Sequence, residues 1–231
     1  MARRILLVSV LAAIVAGGAF AQVRFSAGAG YIDSGRNMGA MAEESVYSEA
    51  TINYRKNQLG GFLFLDATYA ELSLGLMSGV FSAPGVSTSK SDNSKSGASA
   101  GGFDSVLSMD IGLLGRYPIR VAKITVFPLL GVGYNLVLSA KQDAGNDIKW
   151  GTNELPDGAG DYSSIRIMLG AGADFDVTDR IFARAEYMAH YTFAPKAIAK
   201  VVERDDDYYK RSKSKGGGFG VTYTFAVGYR F

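Results

Sequence analysis

The chain has no cysteine. That excludes a disulfide framework, thiolate metal centres and a lipid-modified cysteine behind an export signal. It has a single histidine, His190, and no serine or cysteine at a recognisable spacing from it, so no catalytic residues are expected. Zinc-ligand spacing is absent as well, and no metal or cofactor is expected. Charge of one sign is not in excess: 24 Lys and Arg face 22 Asp and Glu, which gives no pull toward nucleic acid. Past the N-terminus no apolar run reaches the ~20 residues that a membrane-spanning helix needs.

The first 21 residues, MARRILLVSVLAAIVAGGAFA, have the three parts of a signal peptide. Arg3 and Arg4 form the charged start, Ile5 to Ala16 the apolar middle, and Ala19-Phe20-Ala21 the cleavage site before Gln22. A single membrane anchor is the competing reading, and the apolar run is short for it. We therefore expect residues 1–21 to be removed and residues 22–231 to form one exported domain. Removal of Arg3 and Arg4 brings the basic count down to the acidic one. An exported chain of this size without disulfides needs another source of stability, and a closed ring of strands provides one by pairing every backbone group.

What is abundant points the same way: 13 Tyr, 13 Phe and 29 Gly. In the final segment, Phe219, Val221, Tyr223, Phe225, Val227, Tyr229 and Phe231 alternate with small or polar residues. A period of two is a strand with one apolar face. Seven further segments read as strands: about 23–32, a stretch ending near Ala67, then about 69–81, 105–117, 123–139, 163–175 and 181–193. Outward faces are Phe25, Ala27, Ala29 and Tyr31 on the first, and Leu72, Leu74, Leu76 and Val80 on the third. The second is ambiguous, because Phe62 and Phe64 compete with Leu63 and Leu65. Each strand holds the ~9–11 residues that cross a bilayer when tilted.

Short turns fall near Thr68, at Pro118-Ile119-Arg120 and at Asp176-Val177-Thr178-Asp179. Long polar segments fall at about 33–58, 82–104, 140–162 and 194–216. The fold class expected is all-β: an eight-stranded antiparallel up-and-down transmembrane β-barrel with short periplasmic turns and four long external loops. The segment 82–104 contains TSKSDNSKSGASAGG and is expected to be a mobile loop. Asp205, Asp206 and Asp207 lie in a mixed charge run that reads as a solvated loop.

Charges on the opposite strand faces must point into the barrel, since a lipid-facing Arg or Lys costs about 2–4 kcal/mol at mid-depth. An eight-stranded bore is nearly filled by side chains, so inward charges must pair. The expected lumen ion-pair plug consists of Glu71, Asp110, Arg116, Arg166, Asp174, Arg184 and Glu186, weighted toward the periplasmic half. Above it Gly, Ser, Met and Asn135 suggest a shallower, less charged funnel, with His190 near its external end. The pairs Gly28/Gly30, Gly131/Gly133 and Gly170/Gly172 read as small inward residues, not phosphate loops.

These features together resemble the small outer-membrane barrels of the OmpA-barrel, OmpX and OmpW type. The hairpin GGFLFLDATYAELSLGL, with Asp66 and Glu71 about a short turn, is similar to spirochaete (treponemal) outer-membrane barrels. The resemblance implies residence in the outer membrane of a diderm bacterium, as a monomer in contact with outer-membrane lipid. It also implies periplasmic chaperones and the barrel-assembly machinery as folding partners, the latter reading Tyr223, Phe225, Tyr229 and Phe231. It leaves the activity open. An OmpW-like, porin-like conduit for small or hydrophobic solutes is the first expectation. The alternative is a non-transport surface barrel whose external loops bind a host, matrix or other partner. An enzyme ranks last, and a soluble carrier conflicts with the outward aromatics.

Overall fold

The computed structural model describes residues 24–45, 47–99, 103–142, 146–147, 159–196 and 209–231. Eight strands form the barrel: β1 (Phe25–Ser45), β2 (Ser48–Ala67), β3 (Ala70–Ser82), β6 (Phe103–Arg116), β8 (Ile124–Gln142), β10 (Ser164–Asp176), β11 (Ile181–Phe193) and β13 (Gly217–Arg230). Each pairs antiparallel with the next, and β13 returns to β1 from Ser26↔Arg230 to Arg36↔Gly220, which closes the ring. Closure leaves the barrel wall no free edge, so the backbone is paired without help from solvent.

The outer face is apolar, as the alternation predicts. Leu63, Leu169 and Phe225 are 61%, 63% and 58% exposed. Aromatic contacts gather near the two ends: Tyr69 with Tyr117 and Tyr229 with Phe231 at the short-turn end, and Tyr191 with Phe193 and Phe219 at the other. An apolar band between aromatic girdles is the outer surface of a membrane-spanning barrel. Tyr223, Phe225 and Tyr229 face outward on β13 and Phe231, just past its end, is exposed, and Arg180 Nη1 donates to Tyr229 Oη at 2.9 Å. The second strand resolves with Leu59, Leu63 and Leu65 outside and Phe62, Phe64 and Asp66 inside.

The long connections differ from expectation. Residues 33–58 are mostly not a loop: the β1–β2 ladder continues to Glu44↔Glu49. The period of two simply persists above the membrane, where the outward positions turn polar (Arg55, Asn57) while Arg36 and Lys56 stay buried inside. Segment 82–104 is likewise not irregular where it is described. It forms a hairpin of β4 (Pro84–Ser89) and β5 (Lys95–Ser99), with β4 added to the top of β2. On the other side β12 (Tyr209–Lys215) pairs with the top of β1. The result is a sheet ordered β12-β1-β2-β4-β5 rising from one side of the barrel. Of 140–162, the described parts are the end of β8, the two-residue β9 (Asn146–Asp147) paired to it, and a 3₁₀ turn at Ala159–Tyr162. Asp205, Asp206 and Asp207 lie outside the described residues.

The short turns are economical. β2 and β3 join through Thr68 and Tyr69, with Thr68 Oγ1 accepting from the Arg24 amide at 2.8 Å. Between β6 and β8 the chain makes a small hairpin, β7 (Ile119–Val121) pairing with β8 around Ala122-Lys123. Ala122 has φ 54°, the left-handed value that glycine adopts at the first central position of such turns. Ala122→Gly is therefore expected to raise stability by about 0.5–1 kcal/mol in denaturant unfolding of the refolded barrel.

The β4–β5 turn is held by Asp92, whose carboxylate accepts from Ser94 N at 3.0 Å and Ser94 Oγ at 2.8 Å. The Ser94 amide, with the Ser89 and Ser94 hydroxyls, holds this carboxyl below its ordinary value. A depressed folded value means that the ionised form supports the turn, and that support fades as pH falls through that value. The protection factor of the Ser94 amide, that is, its exchange relative to the intrinsic rate at each pH, should accordingly be highest near neutral pH and fall on acidification, with a midpoint below that of a model aspartate.

Candidate functional site

The lumen is the candidate site, and it is layered. At the short-turn end lies a buried ion network built from adjacent strand ends. Asp66 and Glu71 face each other across the β2–β3 hairpin, and Asp174 pairs in register with Arg184 across β10 and β11. Arg184 Nε and Nη2 donate to Asp174 at 2.7 and 3.0 Å, Nη2 and Nη1 to Asp66 at 2.6 and 3.1 Å, and Nη1 to Glu71 at 2.8 Å. Arg116 bridges the same Asp66 and Asp174 at 2.6 and 3.2 Å, and Ser26 Oγ donates to Asp66 at 2.9 Å. Glu186 stands above, accepting from Thr224 Oγ1 at 2.8 Å. Nearer the mouth, Asp176 receives Arg230 and Arg120.

Three rings complete this layer. Arg184 lies over Phe64, Arg116 over Phe127 and Arg230 over Phe182, at 4.2, 3.8 and 4.5 Å from the ring centroids. A Cβ added at Gly28, Gly172 or Gly228 would collide with the ring of Phe64, Phe127 or Phe182, respectively. Each phenyl thus lies flat between a glycine on the wall and a guanidinium in the bore, and the ring face attracts the cation. A glycine is required because only a missing side chain lets the ring lie against the backbone.

A mid-level apolar layer follows, with Ile32, Phe62 and Met77 beside Leu114, Leu129, Met168 and Met188. Above it is a second polar cluster. Arg166 Nη2 binds Asp110 Oδ2, and Arg36 Nη2 lies 3.7 Å from Oδ1. Asn135 Nδ2 donates to Asp110 at 3.2 Å, and its Oδ1 accepts from Lys56 at 2.6 Å. His190 is buried, with Nδ1 3.4 Å from Thr222 Oγ1. The top is closed by Met38, Phe81, Phe103, Val106, Val137 and Ala140, with Tyr162 of the 3₁₀ turn packed edge-on against Phe81 and Phe103.

Of the expected plug, Glu71, Arg116, Asp174, Arg184 and Glu186 do meet. Asp110 and Arg166 make no ion pair with them; they belong to the upper cluster, across a small space that Glu71 and Glu186 also line. The expectation of a shallow, weakly charged upper funnel is overturned, because Arg36 and Lys56, within the segment 33–58 expected to be a loop, point inward. The central member missed was Asp66. Its parity was the available signal: Lys56, Gln58, Phe62, Phe64 and Asp66 share one face, and a charge at Asp66 cannot face lipid. Among the described residues no cluster of three His, Cys, Asp or Glu is arranged to hold a metal ion.

The free space is correspondingly small. Between the two polar clusters the bore holds about 10 Å³, lined by Glu71, Glu186, Asp110 and Arg166, roughly room for one water. A wider mouth of about 280 Å³ opens at the short-turn end beneath Asp66, Arg116, Asp174 and Arg230.

No protein-family model matches the sequence, and no curated protein does. Solved structures of small outer-membrane barrels are similar in outline. Neisserial surface protein A is 12% identical, with 90% of this chain and 97% of that one covered and a TM-score of 0.42. Ail, the attachment invasion locus protein of Yersinia pestis, is 15% identical over 91% of this chain and 99% of its own, with a TM-score of 0.40. The outer membrane protease OmpT from Escherichia coli is 8% identical, covering 90% and 97%, with a TM-score of 0.41. The barrel assignment rests on the closed ladder described above and not on these values.

Removing Arg184 leaves Asp66, Glu71 and Asp174 buried with one guanidinium fewer. Arg184→Ala is expected to cost about 3–5 kcal/mol in denaturant unfolding from lipid or detergent. Arg184→Lys should recover only part of this, since an ammonium cannot make the paired, planar contacts.

Proposed function

We propose that this protein is an integral outer-membrane barrel that does not conduct, and that its work is done by the sheet standing above the membrane. The observation that carries this reading is the filled bore: two buried polar clusters, an apolar layer between them and an aromatic lid leave about 10 Å³ of free space at mid-depth. The outward apolar band between aromatic girdles supports residence in the membrane, and the leader-like N-terminus supports export to the outer one. On this reading the short turns are periplasmic and the β12-β1-β2-β4-β5 sheet is external. The reading is non-enzymatic, and Tyr223, Phe225, Tyr229 and Phe231 serve as the signal for barrel assembly.

The OmpW-like conduit is the weaker reading. It needs an open upper funnel, and that region is occupied by Arg36, Lys56, Phe81 and Phe103. A surface-binding role for the raised sheet fits better, with the β4–β5 hairpin and its exposed Lys95 and Ser96 at the accessible margin. The partner class is a macromolecule at the cell exterior.

Planar-bilayer recording tests the first half. The wild-type protein should be silent, and Arg184→Ala should be silent too, because the apolar layer and the Phe81–Phe103 lid close the bore above the lower network. Steady wild-type current would overturn the reading. For the second half, purified barrel should bind immobilised matrix or host-surface proteins saturably. Replacing the β4–β5 hairpin with a two-residue turn should abolish that binding without altering heat-modifiable gel migration.

A further inference from the structure

The two polar clusters of the lumen carry opposite surpluses of formal charge. The lower one sets Asp66, Glu71, Asp174 and Glu186 against Arg116 and Arg184. The upper one sets Arg36, Lys56 and Arg166 against Asp110, with Lys56 reaching it through Asn135. Negative excess below therefore faces positive excess above, and the two are equal. Among the described residues no ion pair joins them directly: Arg166 binds Asp110, and Glu186 lies 3.9 Å from Arg184.

The clusters meet at a gap in the apolar layer. Its space of about 10 Å³ is lined by Arg166 and Asp110 from one cluster, by Glu71 and Glu186 from the other, and by Gly75 on the wall. Two of these side chains hold an atom without a protein partner: Arg166 Nη1, a donor, and Glu186 Oε1, an acceptor. Both side chains are almost wholly buried, at 3% and 1% exposure. Charged groups are among the costliest to bury with a hydrogen-bonding atom unpaired. We propose that this space is the binding site of a single water, which accepts from Arg166 Nη1, donates to Glu186 Oε1 and so joins the two clusters into one network. Charge selects a neutral ligand: an anion would face three carboxylates in the same space, and a cation would face Arg166. The volume suits one water, and a water satisfies a donor and an acceptor at once. Phe62, Leu114, Met168 and Met188 line the rest, so the water is sealed in as the barrel folds. The site stands on lumen packing and is independent of what the external sheet binds.

Gly75 provides the test. A Cβ added there meets Asp110 Cβ, Phe62 Cβ and the Gly61 carbonyl oxygen at an ordinary 3.6 Å, so alanine fits without a clash. Its methyl group, close to a water in size, enters the lined space. Were nothing bound, Gly75→Ala would fill a void and restrict the unfolded chain, and both effects raise stability. With the water bound, the methyl displaces it and strands Arg166 Nη1 and Glu186 Oε1. For the full mature barrel refolded in detergent, the midpoint of the heat-induced gel shift should therefore fall in Gly75→Ala. An unchanged or raised midpoint overturns the proposal. Crystals of the wild-type protein should show one density peak within hydrogen-bonding reach of Arg166 Nη1 and Glu186 Oε1, and crystals of Gly75→Ala should lack it. The wild-type crystal decides the matter if Gly75→Ala does not fold. No peak there, or a direct contact between Arg166 and Glu186 in its place, overturns the proposal.

Discussion

Eight strands enclose a bore so narrow that every inward side chain must touch another, and the rest of this structure follows from that limit. A wider barrel would let water solvate inward charges. Here they are buried, and a buried charge is tolerated only when it is paired and hydrogen-bonded. The lower network meets the requirement through geometry more than through numbers. Arg184 reaches three carboxylates at once because Asp66 and Glu71 sit on either side of one hairpin while Asp174 lies across the next strand pair. The paired contacts to Asp66 and Asp174 are of the strong, orientation-dependent kind.

The same limit explains the glycines. Gly28, Gly172 and Gly228 make room for the three phenyl rings that support the guanidinium groups. The rings keep water out of the network from the wall side, which strengthens the charge interactions inside it. Packing and electrostatics are therefore one device in this layer: losing a ring loosens the ion pairs, and losing an arginine leaves a ring facing carboxylates.

Above the membrane the constraint changes. The strands of the β1–β2 hairpin outlast the apolar band and carry β12 and β4 as added neighbours. Pairing, not lipid, now sustains the strands. Here the protein presents a sheet of β12-β1-β2-β4-β5, while the bore beneath it is filled with side chains. That contrast is what supports the proposed surface role over passage through the bore.

Much of this was legible in the residues. Strand number, the outward faces of the first, third and last strands, the three short turns and five members of the lower network all follow from a period of two and from the cost of placing charge in lipid. Asp66 was missed because Phe62 and Leu63 make both faces of β2 look apolar. Arg36 and Lys56 were missed because polar residues at the end of a strand read as loop. Local patterning thus decides which elements form and which faces meet the lipid, since both depend only on neighbours in the chain. Which charges meet, at what height, and whether the bore is open depend on stagger between strands far apart in sequence, and only the closed ring sets that.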